Sequence, residues 1–282
     1  MPFTGVEEQA SNTQKVVKKF KMDFLLLRIR EEFIHKALVF LLFFRIFDAI
    51  RDFRKSPAYG RHLDSTFNRL GKMSAKVGWI LMESPAVFVT LAVFFKGQHN
   101  HEIVPRCFLA LFEAHYIHRT FIFPMGIKTG ATRMPIVTAM MASLFNALNG
   151  YIQGRWISHY GYYPTQWLTA PQFLFGIVIF ATGMLINIWA DRLLLHLRAS
   201  SQEKVYKVPH GGLFEYVTCP NYLGEILEWL GWSIMTWSST GLGFFVSTVC
   251  FLGPRANAHH DWYLKKFSDY PQSRKSLIPF LW

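Results

Sequence analysis

The chain is poor in acid and in thiol: Asp and Glu number 18 against 30 Lys and Arg, and there are three cysteines in 282 residues. Cys107, Cys219 and Cys250 are too few and too scattered for a disulfide framework or a structural metal site. The 11 histidines include no His-Glu-x-x-His arrangement, and the neighbours His259 and His260 are too little to hold a metal. No Gly-x-Gly-x-x-Gly follows a strand and no Walker loop occurs, so any nucleotide has to be held in a non-Rossmann manner. Internal repeats, low-complexity tracts and long polar linkers are missing too. No basic, apolar and small-residue series of a cleaved signal peptide opens the chain. The expectation is a basic amphipathic segment over residues 1–36 followed by a single bundle over 37–282.

Apolar surface is what the chain has in excess. Hydrophobic residues make up 51% and aromatic ones 17%, and mean hydropathy is +0.17, which places it in the membrane class. Between Lys76 and Lys96 the only charge is Glu83, and between Arg133 and Arg155 there is none. Each stretch can cross about 30 Å of hydrocarbon. Further apolar stretches lie between Arg106 and Lys128, Arg155 and Asp191, and Glu228 and Arg255, the last two long enough for more than one element. The predicted fold is all-α, a polytopic membrane helix bundle of about seven transmembrane helices. The number is six if the short run from Ala37 to Ile50, which carries Arg45 and Asp48, lies along the surface. Pro85 is expected to kink its span near Glu83.

A net charge of +12 would suggest nucleic acid in a soluble protein. Here Lys and Arg cluster between apolar spans, which is the footprint of membrane topology, so the expected partner is membrane lipid and not nucleic acid. A cytoplasmic Arg51 to Lys76 loop puts Arg192 to Lys207 and the tail from Arg255 on the same side, giving an integral membrane protein with a cytoplasmic C-terminus. That membrane is the endoplasmic reticulum in a eukaryote, the inner membrane in a bacterium. The basic N-terminal residues Lys15 to Lys36 break this rule unless the first short segment is interfacial. Ser56 to His62 reads as a turn-rich loop, and Pro164 to Pro171 as an aromatic loop on the far side.

Polar side chains inside apolar runs carry the functional signal. From Pro209 to Trp232 the sequence reads PHGGLFEYVTCPNYLGEILEWLGW. Asn221 and Glu225, four apart, share one helical face that Trp229 and Trp232 roughly continue, so the stretch is either a ligand-facing stripe or a solvated helix N-terminus begun by Pro220. Glu83 falls in the middle third of its span, where an ionised carboxylate is costly; a protonated one donates a hydrogen bond. His115-Tyr116-Ile117-His118-Arg119 gathers four polar groups that call for an anion or a carboxylate, the bland alternative being a snorkelling Arg at the membrane edge. Asn187, Asp191 and Arg198 form one stripe, and Arg255, His259 and Tyr263 another. Together with Arg133 and Tyr206 they suggest a polar, phosphate-tolerant mouth on the cytoplasmic side. Asn146, Asn149 and Gln153 make a third stripe, read as interhelical hydrogen-bonding glue.

GGLFEYVTCPNYLGEILEWLGW, HYIHRTF, NIWADRLLLHLR and FSDYPQSRKSLIPFLW resemble the steroid 5α-reductase family of integral membrane oxidoreductases, from about the SPAYGRH loop to Trp282. The resemblance implies a seven-helix bundle that binds NADPH from the cytoplasmic side and reduces the carbon-carbon double bond of a lipophilic 3-oxo-4-ene steroid. It implies Glu83 and Tyr116 as the pair that hydrogen-bonds the ketone, with Trp79 and Met82 beside them in the substrate site. Asn187, Asp191, Arg198, Tyr206, Asn221, Glu225, Arg255, His259 and Tyr263 correspond to cofactor contacts, with Arg119 and Arg133 as further cofactor or phosphate contacts. Met82 stands where some members carry Gln, Phe123 where a Tyr occurs and Lys207 where an Arg occurs. Two other readings are a membrane methyltransferase of the isoprenylcysteine or phospholipid type using S-adenosylmethionine, and a non-catalytic sterol-binding protein. A methyl transfer does not require the upstream Glu83 and Tyr116.

Overall fold

The computed structural model describes residues 31–40, 71–128, 133–199 and 206–282. The Ser56 to His62 loop, the basic residues before Glu31 and most of the Ala37 to Ile50 run lie outside the described residues. The chain divides into two compact units, Met1–Leu41 and Leu42–Trp282. In the first, residues 31–40 form helix α1, on which Glu32 and Lys36 pair at 2.8 Å one turn apart.

Among the described residues the second unit has six long helices: α2 (Ala75–Phe94), α3 (Ile103–Ile117), α4 (Ile136–Arg155), α5 (Pro171–Ala199), α6 (Pro220–Thr236) and α7 (Ser239–Lys266). The all-α expectation gains one addition. Strand β1 (Lys72–Ser74) pairs antiparallel with β2 (Arg133–Pro135), Met73 opposite Met134, and so ties the starts of α2 and α4 together. α2 continues as helix through Pro85, whose missing N–H leaves the Leu81 carbonyl without its helical donor. The stretch after Glu228 resolves into two helices because Trp237 adopts the left-handed conformation (φ 46°) and Ser238 caps α7, accepting from the Gly241 N–H at 3.0 Å.

Among the described residues two helices, Ala75–Phe94 and Pro171–Arg198, are long and apolar enough to cross a bilayer. Of the other helices in this unit, α3 and α6 have only 15 and 17 residues, and α4 and α7 carry polar side chains: Asn146, Asn149 and Gln153 on one, Arg255, His259 and His260 on the other. The outward faces are nonetheless apolar. Phe88, Met140, Leu144, Phe175 and Leu185 are each at least 60% exposed, a surface that a solvent of hydrocarbon accommodates and water does not.

Two close helix pairs set the frame. α5 meets α6 through Gly176 and Gly183 on one helix and Gly224 and Gly231 on the other. A Cβ at Gly224 would lie 2.5 Å from the Asn187 backbone nitrogen, and one at Gly176 would lie 2.5 Å from that of Met235, so only glycine allows this approach. α4 lies on α2 in the same manner through Gly150, where a Cβ would sit 3.1 Å from the Ala86 carbonyl. Between the pairs, Phe108, Phe112, Tyr116, Trp229, Trp232 and Phe244 fill the core, with Trp229 and Phe244 edge to face at 4.5 Å. The predicted aromatic loop docks on the C-terminal end of α6, where Tyr163 donates to the Thr236 carbonyl at 2.7 Å and Trp167 to that of Met235 at 2.9 Å.

Candidate active site

A cavity of about 500 Å³ opens among α2, α3, α4, α5, α6 and α7. Its position follows from the helix pairs. The glycine contact brings the Asn187 and Asp191 stripe of α5 against the Asn221 and Glu225 stripe of α6, while α3 reaches the same place through a π-helical turn, His118–Ile122, that carries Arg119. Such turns insert one extra residue and re-aim the side chains they hold.

The charged part of the cavity is closed on itself. Arg119 donates to Asp191 at 2.7 Å and lies 3.5 Å from Glu225. Asn221 donates to the other oxygen of Asp191 at 3.0 Å, and Asn187 donates to the Asn221 carbonyl at 2.9 Å and to Glu225 at 3.4 Å. The Arg119 guanidinium also sits 4.8 Å from the Trp79 ring and 5.0 Å from that of Phe123. With Arg119 only 8% exposed, this is a buried ion pair and not a snorkelling side chain. Asn221 does begin a helix, as Pro220 suggests, yet its side chain reaches across to α5 instead of into solvent. Arg198 and Arg255 line the same cavity from α5 and α7, Arg255 lying 3.7 Å from the Phe251 ring.

One turn along α3 from Arg119, Tyr116 enters the cavity, and Glu83 enters from α2. Asn149 donates to the Tyr116 hydroxyl at 3.0 Å, and Asn146 donates to Glu83 at 2.9 Å and to the Met82 carbonyl at 2.8 Å. Trp79 and Met82 complete this part from α2, and Met141, Ala142, Phe145, Phe251 and Leu252 supply an apolar wall. The third stripe therefore serves as interhelical glue, and Asn146 also lines the cavity.

Ten of the fifteen residues that the resemblance assigns to the site line the cavity: Trp79, Met82, Glu83, Tyr116, Arg119, Asp191, Arg198, Asn221, Glu225 and Arg255. Asn187 stands behind Asn221 and Glu225, and His259 behind Tyr222, whose hydroxyl is 3.3 Å from its Nε2. Arg133, Tyr206 and Tyr263 are not among the lining residues. Arg133 is an exposed residue of β2, Tyr206 packs edgewise on Trp262 at 5.1 Å, and Tyr263 is buried in a stack with Tyr270 at 5.2 Å. Sequence reasoning missed the pairing of His115 with Glu228, whose Oε1 is 2.8 Å from Nδ1 in a fully buried setting. It also missed Tyr222, Thr138, Ser247 and Thr248 on the wall. Glu228 follows Glu225 by three in an apolar run, a spacing that puts the two on one helical face and marks both as needing partners.

A cavity with this lining suits an elongated apolar ligand that ends in one hydrogen-bond acceptor, beside a second ligand rich in anionic and hydroxyl groups. Three guanidinium groups from three elements, two carboxylates and an amide offer such a second ligand both donors and acceptors. The sequence profile of the 3-oxo-5-alpha-steroid 4-dehydrogenases matches residues 132–282. Steroid 5-alpha-reductase DET2 of Solanum lycopersicum is 46% identical over 233 residues, covering 82% of this chain and 89% of that one. 3-oxo-5-alpha-steroid 4-dehydrogenase 1 of Homo sapiens is 42% identical over 233 residues, with 82% and 88% covered, and 3-oxo-5-alpha-steroid 4-dehydrogenase 2 of Rattus norvegicus is 40% identical over 228, with 80% and 89% covered. The chain belongs to this family of oxidoreductases, and the methyltransferase and non-catalytic readings are set aside.

Proposed function

We propose that the protein uses NADPH to reduce the 4,5 double bond of a 3-oxo-4-ene steroid, in a membrane that its helices cross about seven times, with the C-terminus in the cytoplasm. The observation that carries this reading is the placing of Glu83 and Tyr116 in an apolar part of the cavity, one helical turn from the Arg119, Asp191 and Glu225 network. Relatives named as steroid 5-alpha-reductases support the choice of bond.

NADPH, when bound, would supply hydride to the β-carbon of the enone, and a proton from water would complete the reduction at the α-carbon. The chain's residues do the remaining work. As charge develops on the ketone oxygen, hydrogen bonds from the Tyr116 hydroxyl and a neutral Glu83 stabilise it in a part of the cavity walled by Phe145, Trp229 and Phe244. Asn221, Asp191 and Glu225 offer partners for ribose hydroxyls and the carboxamide, and Arg198 and Arg255 for phosphate oxygens. Met82, beside Glu83 on the wall, is placed to influence which steroid is accepted.

The test is single-turnover reduction by folded, NADPH-saturated Tyr116→Phe and Glu83→Gln. The expected loss is about 10² to 10³ per donor, smaller for Glu83→Gln because an amide still donates, with cofactor affinity retained. Wild-type hydride-transfer rates in both variants would remove these residues from the chemistry. Variants that merely failed to fold would point to helix packing instead.

A further inference from the structure

We propose that the side-chain amides of Asn146, Asn149 and Gln153 on α4 are positioning groups that set the direction of the hydrogen bonds at Glu83 and Tyr116. Both then present O–H donors, and not acceptors, to the cavity. The inference deepens the enone-reductase reading and rests on it for the identity of the ligand.

The direction is fixed from two groups that have no choice. The Trp232 indole N–H can only donate, and its partner at 2.9 Å is Gln153 Oε1. The Thr240 backbone carbonyl can only accept, and its partner at 3.0 Å is Gln153 Nε2. Each constraint independently orients the Gln153 amide the same way. The same Nε2 reaches Asn149 at 3.3 Å, which makes that atom of Asn149 its oxygen and turns the NH2 toward the Tyr116 hydroxyl at 3.0 Å. A phenol oxygen that accepts this bond keeps its own hydrogen for another acceptor. Among the described residues none takes it, and Tyr116 lines the cavity.

Glu83 is treated in the same way one turn earlier on α4. Asn146 Nδ2 faces the Met82 carbonyl at 2.8 Å, an acceptor only, so the same NH2 also donates to Glu83 Oε2 at 2.9 Å. A neutral carboxyl accepts best at its carbonyl oxygen, so the bond to Oε2 favours the hydrogen on Oε1. Asn149 and Gln153 are 0% and 1% exposed, so no water is at hand to reverse the chain. At positions i, i+3 and i+7 the three amides share one face of α4, and their combined effect is to prefer a ligand ending in a carbonyl.

Gln153→Glu in the full-length protein tests this, since it removes the NH2 while keeping the shape. Any hydrogen the new carboxyl retains is claimed by the Thr240 carbonyl, the nearer acceptor. Asn149 then turns over to donate to the carboxyl, and Tyr116 spends its hydrogen on the Asn149 carbonyl. Asn149→Leu, which deletes the donor outright, is the second variant. The readouts are the affinity ratio for a 3-oxo steroid over its 3-deoxo analogue, measured by binding alone, and kcat with saturating NADPH. The expected result for Gln153→Glu is a fall of about tenfold or more in both readouts, with little further loss when Tyr116→Phe is added, because one donor cannot be lost twice; Asn149→Leu, which gives Tyr116 no competing acceptor, should fall less. The inference is overturned if Gln153→Glu keeps the wild-type ratio, if Asn149→Leu lowers it as far as Gln153→Glu does, or if the loss in Gln153→Glu multiplies with that of Tyr116→Phe as an independent packing defect would. A wild-type protein that prefers the 3-oxo ligand but never reduces it would sink the proposed reaction and leave the hydrogen-bond direction standing.

Discussion

Replacing Asp191 by Leu isolates the energetics of the charged network. Arg119 is buried, donates its short bond of 2.7 Å to Asp191, and has Glu225 only as a longer partner at 3.5 Å. Two unit charges about 4 Å apart attract by about 4 kcal/mol at an effective dielectric constant of about 20. Removing one member of such a pair leaves a desolvated charge and costs about 3 to 5 kcal/mol. Glu225 offsets part of this, so the expectation for Asp191→Leu is the lower end, about 3 kcal/mol. The double variant Arg119→Met with Asp191→Leu removes the stranded cation. Glu225, whose side chain is 20% exposed, tolerates the loss of Arg119 better than a sealed carboxylate would. The double variant should therefore be more stable than Asp191→Leu by at least about 1 kcal/mol, although neither binds NADPH as the parent does. Reversible denaturant unfolding of the four proteins in detergent closes the cycle. If the two losses simply add, Arg119 and Asp191 do not compensate one another and the reasoning fails.

Asn221→Ala removes a half-buried hydrogen bond to a carboxylate and should weaken NADPH binding by about 1.5 to 3 kcal/mol with steroid affinity nearly unchanged. Arg198→Ala should weaken it less and in a salt-dependent way, because Arg198 is exposed; titration at two ionic strengths separates the two cases. Gly224→Ala places a methyl group 2.5 Å from the Asn187 backbone, so we expect a loss of about 1 to 3 kcal/mol together with weaker cofactor binding, and unchanged melting and affinity would contradict the close approach of α5 and α6. In the loop before α6, the Gly211 N–H and the Arg274 guanidinium hold Glu215 below the usual carboxylate range. Its contribution is therefore present above the ordinary carboxylate pKa and is lost as pH falls through the depressed value. Amide protection factors over residues 209–219, taken against the intrinsic exchange rate at each pH, should fall on acidification in the wild type, and this extra acid sensitivity should vanish in Glu215→Gln.

Much of the site is legible in the sequence, because a helix repeats every 3.6 residues and a polar stripe in an apolar run has to find partners. That logic alone linked Asn187 with Asp191 and Asn221 with Glu225, and it marked Glu83, Tyr116 and Arg119 as groups that apolar surroundings do not tolerate unpaired. Periodicity acts within one helix and is silent on which helices meet. The α5 and α6 stripes come together only because Gly176, Gly183, Gly224 and Gly231 let two backbones touch, and small residues carry no polar signal that would single them out. The same limit explains Arg133, grouped with the stripes only by its expected side of the membrane, and Tyr263, spaced four from His259, which packing directs into a strand pair and an aromatic stack. It explains the amides of α4 as well. Their spacing was plain in the sequence and was enough to make them interhelical bridges. The direction of each bridge depends on an indole from α6 and a carbonyl from α7, two groups whose donor or acceptor character is fixed and whose arrival at Gln153 only tertiary packing decides.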